Sequence, residues 1–401
     1  MIYKLLSLFI MLTILANAYV PVTTPNGSTL SWTMDGDVKV FHLVAESVAR
    51  QFAPGLVVNC WGYNGQTPGP TIEAVDGDRV RIFVTNKLPA PTTVHWHGIL
   101  LPNGMDGVSG LNQKPIPPGQ TCKYEFTLRQ SGTHMYHSHF DEMTQIALGM
   151  MGFFIIHPKN PAENEKVDRD FCIMLHEWFI PIGATTPDPM VMLDFNYFTF
   201  NSTVWPGTDP LVVKKGQKVR IRLGNLSMDS HPIHLHGYEF AVTAQGAKRM
   251  QPFNQYDAVT INVPVGDTRD IEFVANEPGD WAFHCHKSHH TMSGMEHALP
   301  NLVGVDLSDM QEKIQKILPG YMAMGQTGMG EMLEMSGMPR PKNVLAFSTS
   351  GPFGQIGMGG MFTVLKVRDG ITSYVDPGWY QNPPGTMAEL VDSAGSSLDL
   401  K

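Results

Sequence analysis

Cysteine, positive charge and long apolar runs are all scarce in this chain of 401 residues. Its four cysteines are too few for a disulfide scaffold, so stability must come from packed apolar cores. Only 28 lysines and arginines accompany 37 acidic residues, and the formal net charge of −9 argues against nucleic acid or an anionic membrane as a partner. Beyond the N-terminal segment, no run is long and apolar enough to predict a transmembrane helix.

The one strongly apolar segment has the pattern of a cleavable export signal. Lys4 precedes an apolar run over residues 5–15, which is too short to cross a bilayer. Small residues follow in Ala16-Asn17-Ala18, as a cleavage site requires. We expect residues 1–18 to be a signal peptide cleaved after Ala18, with a periplasmic or secreted mature protein that is not membrane-bound. The alternative interpretation is a buried N-terminal strand.

Glycine, proline, histidine and methionine are abundant instead. The 39 glycines and 30 prolines indicate many turns, and alternating runs such as residues 79–85 are typical of half-buried strands, so we predict an all-β fold. A length of 401 residues with 42% hydrophobic residues is enough for two domains with their own cores. The 16 histidines and 25 methionines indicate a chain that handles metal ions.

Two parts of the chain repeat the same spacing of glycines and histidines. In each part, one glycine precedes the glycine of a His-x-His-Gly element by 21 positions, and another precedes a second His-x-His element by 18 positions. The matched pairs are Gly77/Gly98 with Gly216/Gly237, and Gly119/His137 with Gly266/His284. Such self-similarity indicates a duplicated unit. We predict domains over residues 19–160 and 161–306, a Met-rich loop over 307–345, and a C-terminal strand and tail over 346–401.

Four His-x-His elements stand at matched places in this repeat. Residues i and i+2 of a strand share a face, so each element presents two imidazoles to one side of its sheet. Eight imidazoles are more than one copper or zinc ion can use, whereas three copper ions could use them and leave room for O2. The elements are His95/His97, His137/His139, His234/His236 and His284/His286.

A second set of soft ligands surrounds Cys285. One thiolate, two imidazoles and a weak axial thioether are the ligands of a blue electron-transfer copper. His284 and His286 flank the cysteine and point to the opposite face of the strand, so they must serve a different metal centre. His289 competes with its neighbour as a ligand, but the spacing from the cysteine favours the neighbour. The predicted ligands are His231, Cys285, His290 and Met295.

These elements, in this order over residues 61–295, resemble the four motifs of the multicopper oxidases. The motifs are His-Trp-His-Gly, Tyr-His-Ser-His, His-Pro-x-His-x-His-Gly and His-Cys-His-x3-His-x4-Met, and the short chain resembles the two-domain, laccase-like members. The resemblance implies two cupredoxin-like Greek-key β-sandwich domains, with the Met-rich segment as a C-terminal extension. Ser138 stands where a cysteine would be in the first repeat, so we expect a single type 1 copper, in the second domain.

The resemblance also implies four copper ions: one of type 1, one of type 2 and two of type 3. The type 1 ion would be held by the Cys285 set, and the type 2 ion by His95 and His234. The type 3 pair would be held by the six remaining histidines, which are His97, His137, His139, His236, His284 and His286.

The activity implied is the oxidation of a donor, one electron at a time, coupled to reduction of O2 to two waters. Electrons would pass from Cys285 to the cluster through the adjacent histidines. The donor is either Cu(I), in copper tolerance, or a phenol or other small aromatic reductant. Asp106 is expected to supply protons near the cluster, and its alternative role is that of a turn residue. Thr291 stands where many members have an acid, which leaves the second proton route undefined.

The resemblance also implies the assembly, and two competing functions remain open beside it. In two-domain relatives the cluster forms between the first domain of one subunit and the second domain of the next, which implies a homotrimer. A copper nitrite reductase-like enzyme would carry its cysteine in the first domain, and Ser138 argues against it. A periplasmic copper-binding or storage protein would explain the methionines but not the complete set of histidine ligands.

Six methionines within residues 321–338 leave two interpretations open, as do the remaining cysteines. Thioethers are soft ligands for Cu(I), so the run either binds cuprous ions or is a flexible, gap-filling segment. Cys60 and Cys122 either form a disulfide or stay free. Cys172, within an apolar run, is predicted to be a buried free thiol.

Overall fold

The computed structural model of the chain describes residues 19–181, 183–291, 308–317 and 349–391. The predicted signal peptide over residues 1–18, the ligand Met295 and the methionine run over residues 321–338 lie outside these ranges. Among the described helices, none combines the length and apolar character needed to cross a membrane.

The first half of the chain forms two sheets that share one apolar core. The first sheet consists of β1 (Trp32–Asp35), β2 (Val38–Ala53), β3 (Leu56–Tyr63), β5 (Arg79–Asn86) and β7 (Thr121–Thr127), in the order β1-β2-β5-β7 with β3 also paired to β2. The second consists of β4 (Gly69–Val75), β6 (Val94–His97), β8 (Gly132–Ser138) and β9 (Met151–His157), in the order β4-β9-β8-β6. Residues from both sheets, including Phe41, Ile82, Trp96 and Phe154, fill the space between them.

The second half repeats this arrangement. One sheet consists of β10 (Arg169–Trp178), β11 (Tyr197–Phe200), β13 (Lys218–Asn225), β15 (Phe240–Gln245), β16 (Lys248–Arg249), β17 (Tyr256–Ala258) and β19 (Thr268–Val274). The other consists of β12 (Leu211–Lys214), β14 (His231–Leu235), β18 (Thr260–Val263), β20 (Gly279–Cys285) and β23 (Phe362–Arg368), in the order β12-β23-β20-β14-β18. A separate hairpin is formed by β21 (Thr349–Gly351) and β22 (Gly354–Ile356).

Helical structure among the described residues is short. The two α-helices are α1 (Glu142–Ala147) and α2 (Ser308–Gln315), and 3-10 turns lie at Asn103–Met105, Glu163–Glu165, Pro252–Asn254 and Ser288–Thr291. The prediction of an all-β fold is confirmed, because strands build both cores and β5 shows the expected alternation of buried and less buried residues.

The duplication extends to the strand pairing. The parallel pairs β2–β5 and β4–β9 of the first half correspond to β10–β13 and β12–β23 of the second. Strand β8 lies between β9 and β6, just as β20 lies between β23 and β14. A strand lies within the predicted C-terminal segment over residues 346–401, because β23 completes a sheet of the second half. In sequence, the methionine run stands between two adjacent strands of that sheet.

A third core joins the two halves. Met135 of β8 and Phe153 of β9 pack with Cys172 and Met174 of β10, all of them buried. Beside this core, the buried guanidinium of Arg222 donates hydrogen bonds to carboxylate oxygens on β10 and to the hydroxyl of Thr133 on β8. These contacts fix β8, which carries one His-x-His element, against the second half of the same chain.

All four cysteines are free thiols. Cys60 lies on β3 and Cys122 on β7, and two strands, β2 and β5, separate them in the sheet. Three strand spacings of about 4.8 Å place the two residues far beyond the reach of a disulfide, so that alternative is wrong. Cys172 is fully buried, as predicted.

Candidate copper centres

The first histidine set converges on one edge of the β4-β9-β8-β6 sheet. His95 of β6 is directly opposite His137 of β8 in the strand register. The ring centroids of neighbouring imidazoles in this set lie 5.3–6.1 Å apart, and the set consists of His95, His97, His137 and His139. Nδ1 of His97 is 3.3 Å from Nε2 of His137. The four imidazoles therefore form one compact cluster, as a copper site requires.

Backbone carbonyls orient two of these rings. Nδ1 of His95 lies 2.8 Å from the carbonyl oxygen of Asp106, and Nδ1 of His137 lies 2.9 Å from that of Ser138. A hydrogen bond at Nδ1 leaves Nε2 as the nitrogen available to a metal, which is the usual arrangement for a ligating histidine.

The second histidine set is built in the same way in the second half. His234 of β14 is opposite His284 of β20, and Nε2 of His236 is 3.1 Å from Nε2 of His284. Nδ1 of His284 lies 2.7 Å from the carbonyl oxygen of the next residue, Cys285. His137 makes the corresponding contact with the carbonyl oxygen of Ser138. His236 and His286 are exposed, so this set opens toward solvent.

The two histidine sets are separate within one chain. Ring contacts connect His234, His236, His284 and His286 to one another, and among the described residues none connects them to the first set. Each set therefore supplies half of the eight imidazoles on its own surface.

The cysteine set lies on the other face of β20. Sγ of Cys285 is 3.8 Å from Nδ1 of His231 and 3.6 Å from Nδ1 of His290, and the two Nδ1 atoms are 3.0 Å apart. None of the three side chains is exposed. The structure thus brings together three of the four ligands predicted for this centre, and Met295 lies outside the described residues. The competing His289 is exposed and packs its ring edge-on against Phe198.

Burial controls the protonation of this set. It lowers the pKa of His231 to about 3 and that of His290 to about 2, so both imidazoles are neutral and able to bind a metal ion. It also raises the pKa of the Cys285 thiol to about 12. A metal ion must therefore displace the thiol proton when it binds.

Several residues around the cysteine set were not identified from the sequence. The Ser227 hydroxyl lies 2.8 Å from Nε2 of His231, and the ring of Phe198 stacks on His290 at 3.9 Å. Glu177 is buried, with Oε1 3.6 Å from Nε2 of His231, and burial followed by the charge of Asp229 raises its pKa to about 7. Its only sequence signal was an acidic residue near the end of β10, shortly after the apolar run over residues 171–175.

Asp106 lies beside the first histidine set. Its carboxylate Oδ1 is 3.5 Å from Nδ1 of His95, and Oδ2 accepts a hydrogen bond from the amide of Asn112. Thr291 is buried and donates from its hydroxyl to the carbonyl of Ser288, so it ends the 3-10 turn and offers no acid.

The donor set suits copper. A buried thiol and two neutral imidazoles, whose ligand atoms all lie within 4.8 Å of one another, match a type 1 site, and the cluster of His95, His97 and His137 is equally compact. The fold and these sites define a copper protein built from duplicated β-sandwiches.

The chain belongs to the multicopper oxidase family. Two family models, each described as multicopper oxidase, match residues 45–161 and 182–303, which together make up more than half of the chain. Copper is thus the cofactor, and the family's standard arrangement comprises copper of types 1, 2 and 3.

Two relatives agree with this assignment. Copper resistance protein A of Pseudomonas syringae pv. tomato is 41% identical over 130 residues, which are 32% of this chain and 20% of that protein. Laccase-1 of Botryotinia fuckeliana is 35% identical over 235 residues, or 56% of this chain and 41% of that protein. The chain thus spans less than half the length of these two relatives. The crystal structure of the blue copper oxidase from Nitrosomonas europaea has a TM-score of 0.63 at 25% identity, covering 85% of this chain and 91% of the other. This likeness confirms the cupredoxin-like fold.

Proposed function

We propose that the protein is a copper-dependent oxidase that couples four one-electron oxidations of a donor to reduction of O2 to two waters. The observation that carries the proposal is the arrangement on β20. Cys285 belongs to the buried set on one face, while His284 and His286 belong to the other set on the opposite face. Two centres are thus joined by adjacent residues of one strand, which favours a redox enzyme over a storage protein or a nitrite reductase-like enzyme.

The proposed ligands are those indicated by the motifs. His231, Cys285, His290 and Met295 would hold type 1 copper, and His95 and His234 would hold type 2 copper. Bound copper would supply the one-electron chemistry and the site of O2 reduction. The type 3 pair would be held by His97, His137, His139, His236, His284 and His286.

The protein's own residues support this chemistry in three ways. Cys285 provides a covalent path through its backbone to the histidines on either side. Ser227 and the Asp106 carbonyl hold His231 and His95 in orientations that suit metal binding. The Asp106 carboxylate stands where it can deliver protons to the first histidine set.

We also propose that the cluster forms between subunits of a homotrimer. Each half-set is open on the surface, and exposed apolar side chains accompany both of them. Leu100 and Leu111 are 60% and 78% exposed in the loop that follows His97, and Val259, whose carbonyl contacts His234, is 51% exposed. A first-half edge docked on the second-half edge of a neighbour would cover these side chains and complete eight ligands.

The electron donor is proposed to enter at a cavity of about 330 Å³ that extends from Glu177 and Ser227, which contact the cysteine set, to His97 and His137 of the first histidine set. Glu177 lies on its wall, with Oε1 4.0 Å from Nε2 of His290. Three thioethers, from Met143, Met192 and Met228, also line it and favour Cu(I), whereas the mainly apolar lining equally suits a small aromatic reductant. An export signal over residues 1–18 would place this chemistry in the periplasm or outside the cell.

Replacing Cys285 by serine tests the proposal. In the copper-loaded protein, Cys285→Ser should abolish the blue absorption and O2 uptake, because the serine hydroxyl is neither a soft ligand nor an efficient electron path. Copper content should fall by only the type 1 ion, and the signals of the trinuclear cluster should remain. Absence of O2 consumption by the copper-loaded wild type, with Cu(I) and with phenols, would contradict the oxidase, and turnover with nitrite as acceptor would favour the alternative.

Deleting residues 321–338 distinguishes the two donors. If the methionine run binds Cu(I), the deletion should lower the rate of Cu(I) oxidation much more than that of phenol oxidation. Both rates are measured as O2 uptake under identical copper loading. An equal loss with both donors would show that the run has no special role toward Cu(I).

A further inference from the structure

The first half contains a position that corresponds to the cysteine set of the second half. In the strand register, Ser138 is opposite Val94 as Cys285 is opposite Ile233. Thr92 precedes His95 by three positions, just as His231 precedes His234. Thr92 and Ser138 therefore stand at the places of His231 and Cys285 in the duplicated fold.

A compact hydrogen-bonded cluster occupies this position. The hydroxyls of Thr92 and Ser138 donate to the same amide oxygen, Oε1 of Gln145, at 2.7 and 2.5 Å, and lie 3.3 Å from each other. The Gln145 amide nitrogen donates to the carbonyl of Pro91. Thr92 and Ser138 have no exposed surface and Gln145 only 1%, so no water competes for these bonds.

The three side chains connect the segments that carry the first histidine set. Thr92 belongs to the segment leading into β6 with His95 and His97. Ser138 lies between His137 and His139 at the end of β8. Gln145 belongs to α1, which also carries Glu142, whose carboxylate is 3.2 Å from Nε2 of His139.

We propose that the Thr92–Ser138–Gln145 cluster takes the place of a metal ion in the first half and positions the first histidine set for copper. In the second half, the ligands of the cysteine set connect the corresponding segments. In the first half Ser138 stands where Cys285 supplies the thiol, so the connection is made by hydrogen bonds and carries no electrons. The three residues are positioning residues, and the inference rests on the proposed role of His95, His97, His137 and His139 as copper ligands.

The cluster acts through geometry because the other contacts of the two hydroxyls, at 3.2–3.3 Å, are longer than their bonds to the Gln145 amide oxygen. Removing one hydroxyl leaves the Gln145 amide oxygen with a single donor in a buried site and removes one side-chain hydrogen bond that connects the segments. Supporting hydrogen bonds of this kind commonly change metal affinity by about 10–100-fold when they are lost. The cysteine set, in the other half, does not depend on them.

The test compares Thr92→Val with Thr92→Ser in the copper-loaded full chain. Thr92→Val keeps the volume and removes the hydroxyl, and it should weaken copper binding at the trinuclear cluster by about 10-fold or more while the blue type 1 absorption stays unchanged. Thr92→Ser keeps the hydroxyl and should restore binding. Copper content and the paramagnetic signal of type 2 copper report the cluster, independently of turnover.

A control and a second variant separate positioning from general stability. Thr243→Val removes a buried hydroxyl on β15 of the second half, and it should leave copper binding at both centres unchanged. Gln145→Met should reproduce the selective loss seen with Thr92→Val. The inference would be overturned if Thr92→Val and Gln145→Met both kept a full complement of copper at the trinuclear cluster. It would also be overturned if they lost copper equally from the trinuclear cluster and the type 1 centre. Absence of trinuclear copper in the wild type would instead contradict the proposed function.

Discussion

At the scale of single residues, the direction in which each side chain points decides its role. Cys285 and His290 share a buried set, while His284 points to the opposite face and contacts His236. Alternation along a strand predicts this division from sequence alone. Glu177 and Ser227 were not predicted, because their contacts with His231 depend on how β10 and the segment after β13 pack together, and no spacing rule relates these segments.

The buried His176 gives a pH-dependent prediction. Burial lowers its pKa from the ordinary 6.5 to about 4, so the folded chain keeps this imidazole neutral while the unfolded chain protonates it. The contribution of this residue to the free energy of unfolding, about 3 kcal/mol, is therefore fully present above pH 6.5 and is lost as the pH falls toward 4. His176→Gln should reduce the slope of unfolding free energy against pH in this window by about 1.4 kcal/mol per pH unit.

Denaturant unfolding of the copper-free protein at a series of pH values measures this slope. Thr199→Val, which removes a buried uncharged hydroxyl that donates to the carbonyl of His176, is the control and should leave the slope unchanged. A slope for His176→Gln equal to that of the wild type would show that this imidazole is not held neutral by burial.

At the scale of strands and loops, the repeated spacings predicted the duplicated pairing well. Arg81 of β5 pairs with Glu125 of β7, and Arg220 of β13 pairs with Glu272 of β19 at the matching register. The place of β23 was less predictable. Its neighbour β20 ends at Cys285, and a long intervening segment separates the two in sequence, so local patterns indicate a strand near residue 362 but not its partner.

Arg222 of β13 is predicted to be essential for the contact between the halves. Its guanidinium is 3% exposed and bonds to Asp170 and to Thr133 of the first half. Arg222→Met fills similar volume but leaves the buried carboxylate of Asp270 without its ion-pair partner and that of Asp170 with only Arg220, 3.2 Å away. Loss of one partner from a buried ion pair costs about 3–5 kcal/mol.

The free energy of unfolding in denaturant measures this cost. The control is Arg79→Met on β5, whose guanidinium is half exposed and pairs with Glu125, and a loss below about 1 kcal/mol is expected there. Similar losses for the two variants would show that the Arg222 network contributes no more than a surface pair.

At the scale of the whole molecule, the two half-sets of histidines give the chain two different, complementary edges. An interface between unlike edges is heterologous, and it closes into a ring when the rotation between subunits allows it. His236 and His286 are exposed on one edge, while His95 and His97 are only partly covered on the other. The motifs predicted the eight imidazoles but could not place them, because the distance between the sets depends on how the third core packs the halves together.

Complementation between two inactive variants tests where the clusters form. One variant carries His95→Ala and His97→Ala, and the other carries His234→Ala and His236→Ala. Each should be inactive alone, because every interface contains one damaged half-set. When both chains are produced together in equal amounts, an interface is intact if its first-half edge comes from the second variant and its second-half edge from the first. Random assembly then makes about a quarter of the interfaces intact, and O2 uptake should recover to about a quarter of the wild-type value per chain.

The matched control combines two variants damaged in the same half. Chains with His95→Ala and His97→Ala, produced together with chains carrying His137→Ala and His139→Ala, have no intact first-half edge in any arrangement. They should therefore remain inactive in every mixture. Clusters formed within single chains would give no recovery in the first experiment either, because each chain would keep its own damaged cluster. Recovery confined to the mixture damaged in opposite halves is expected only if neighbouring chains share the cluster, and the intact Cys285 of the first variant then delivers electrons to it.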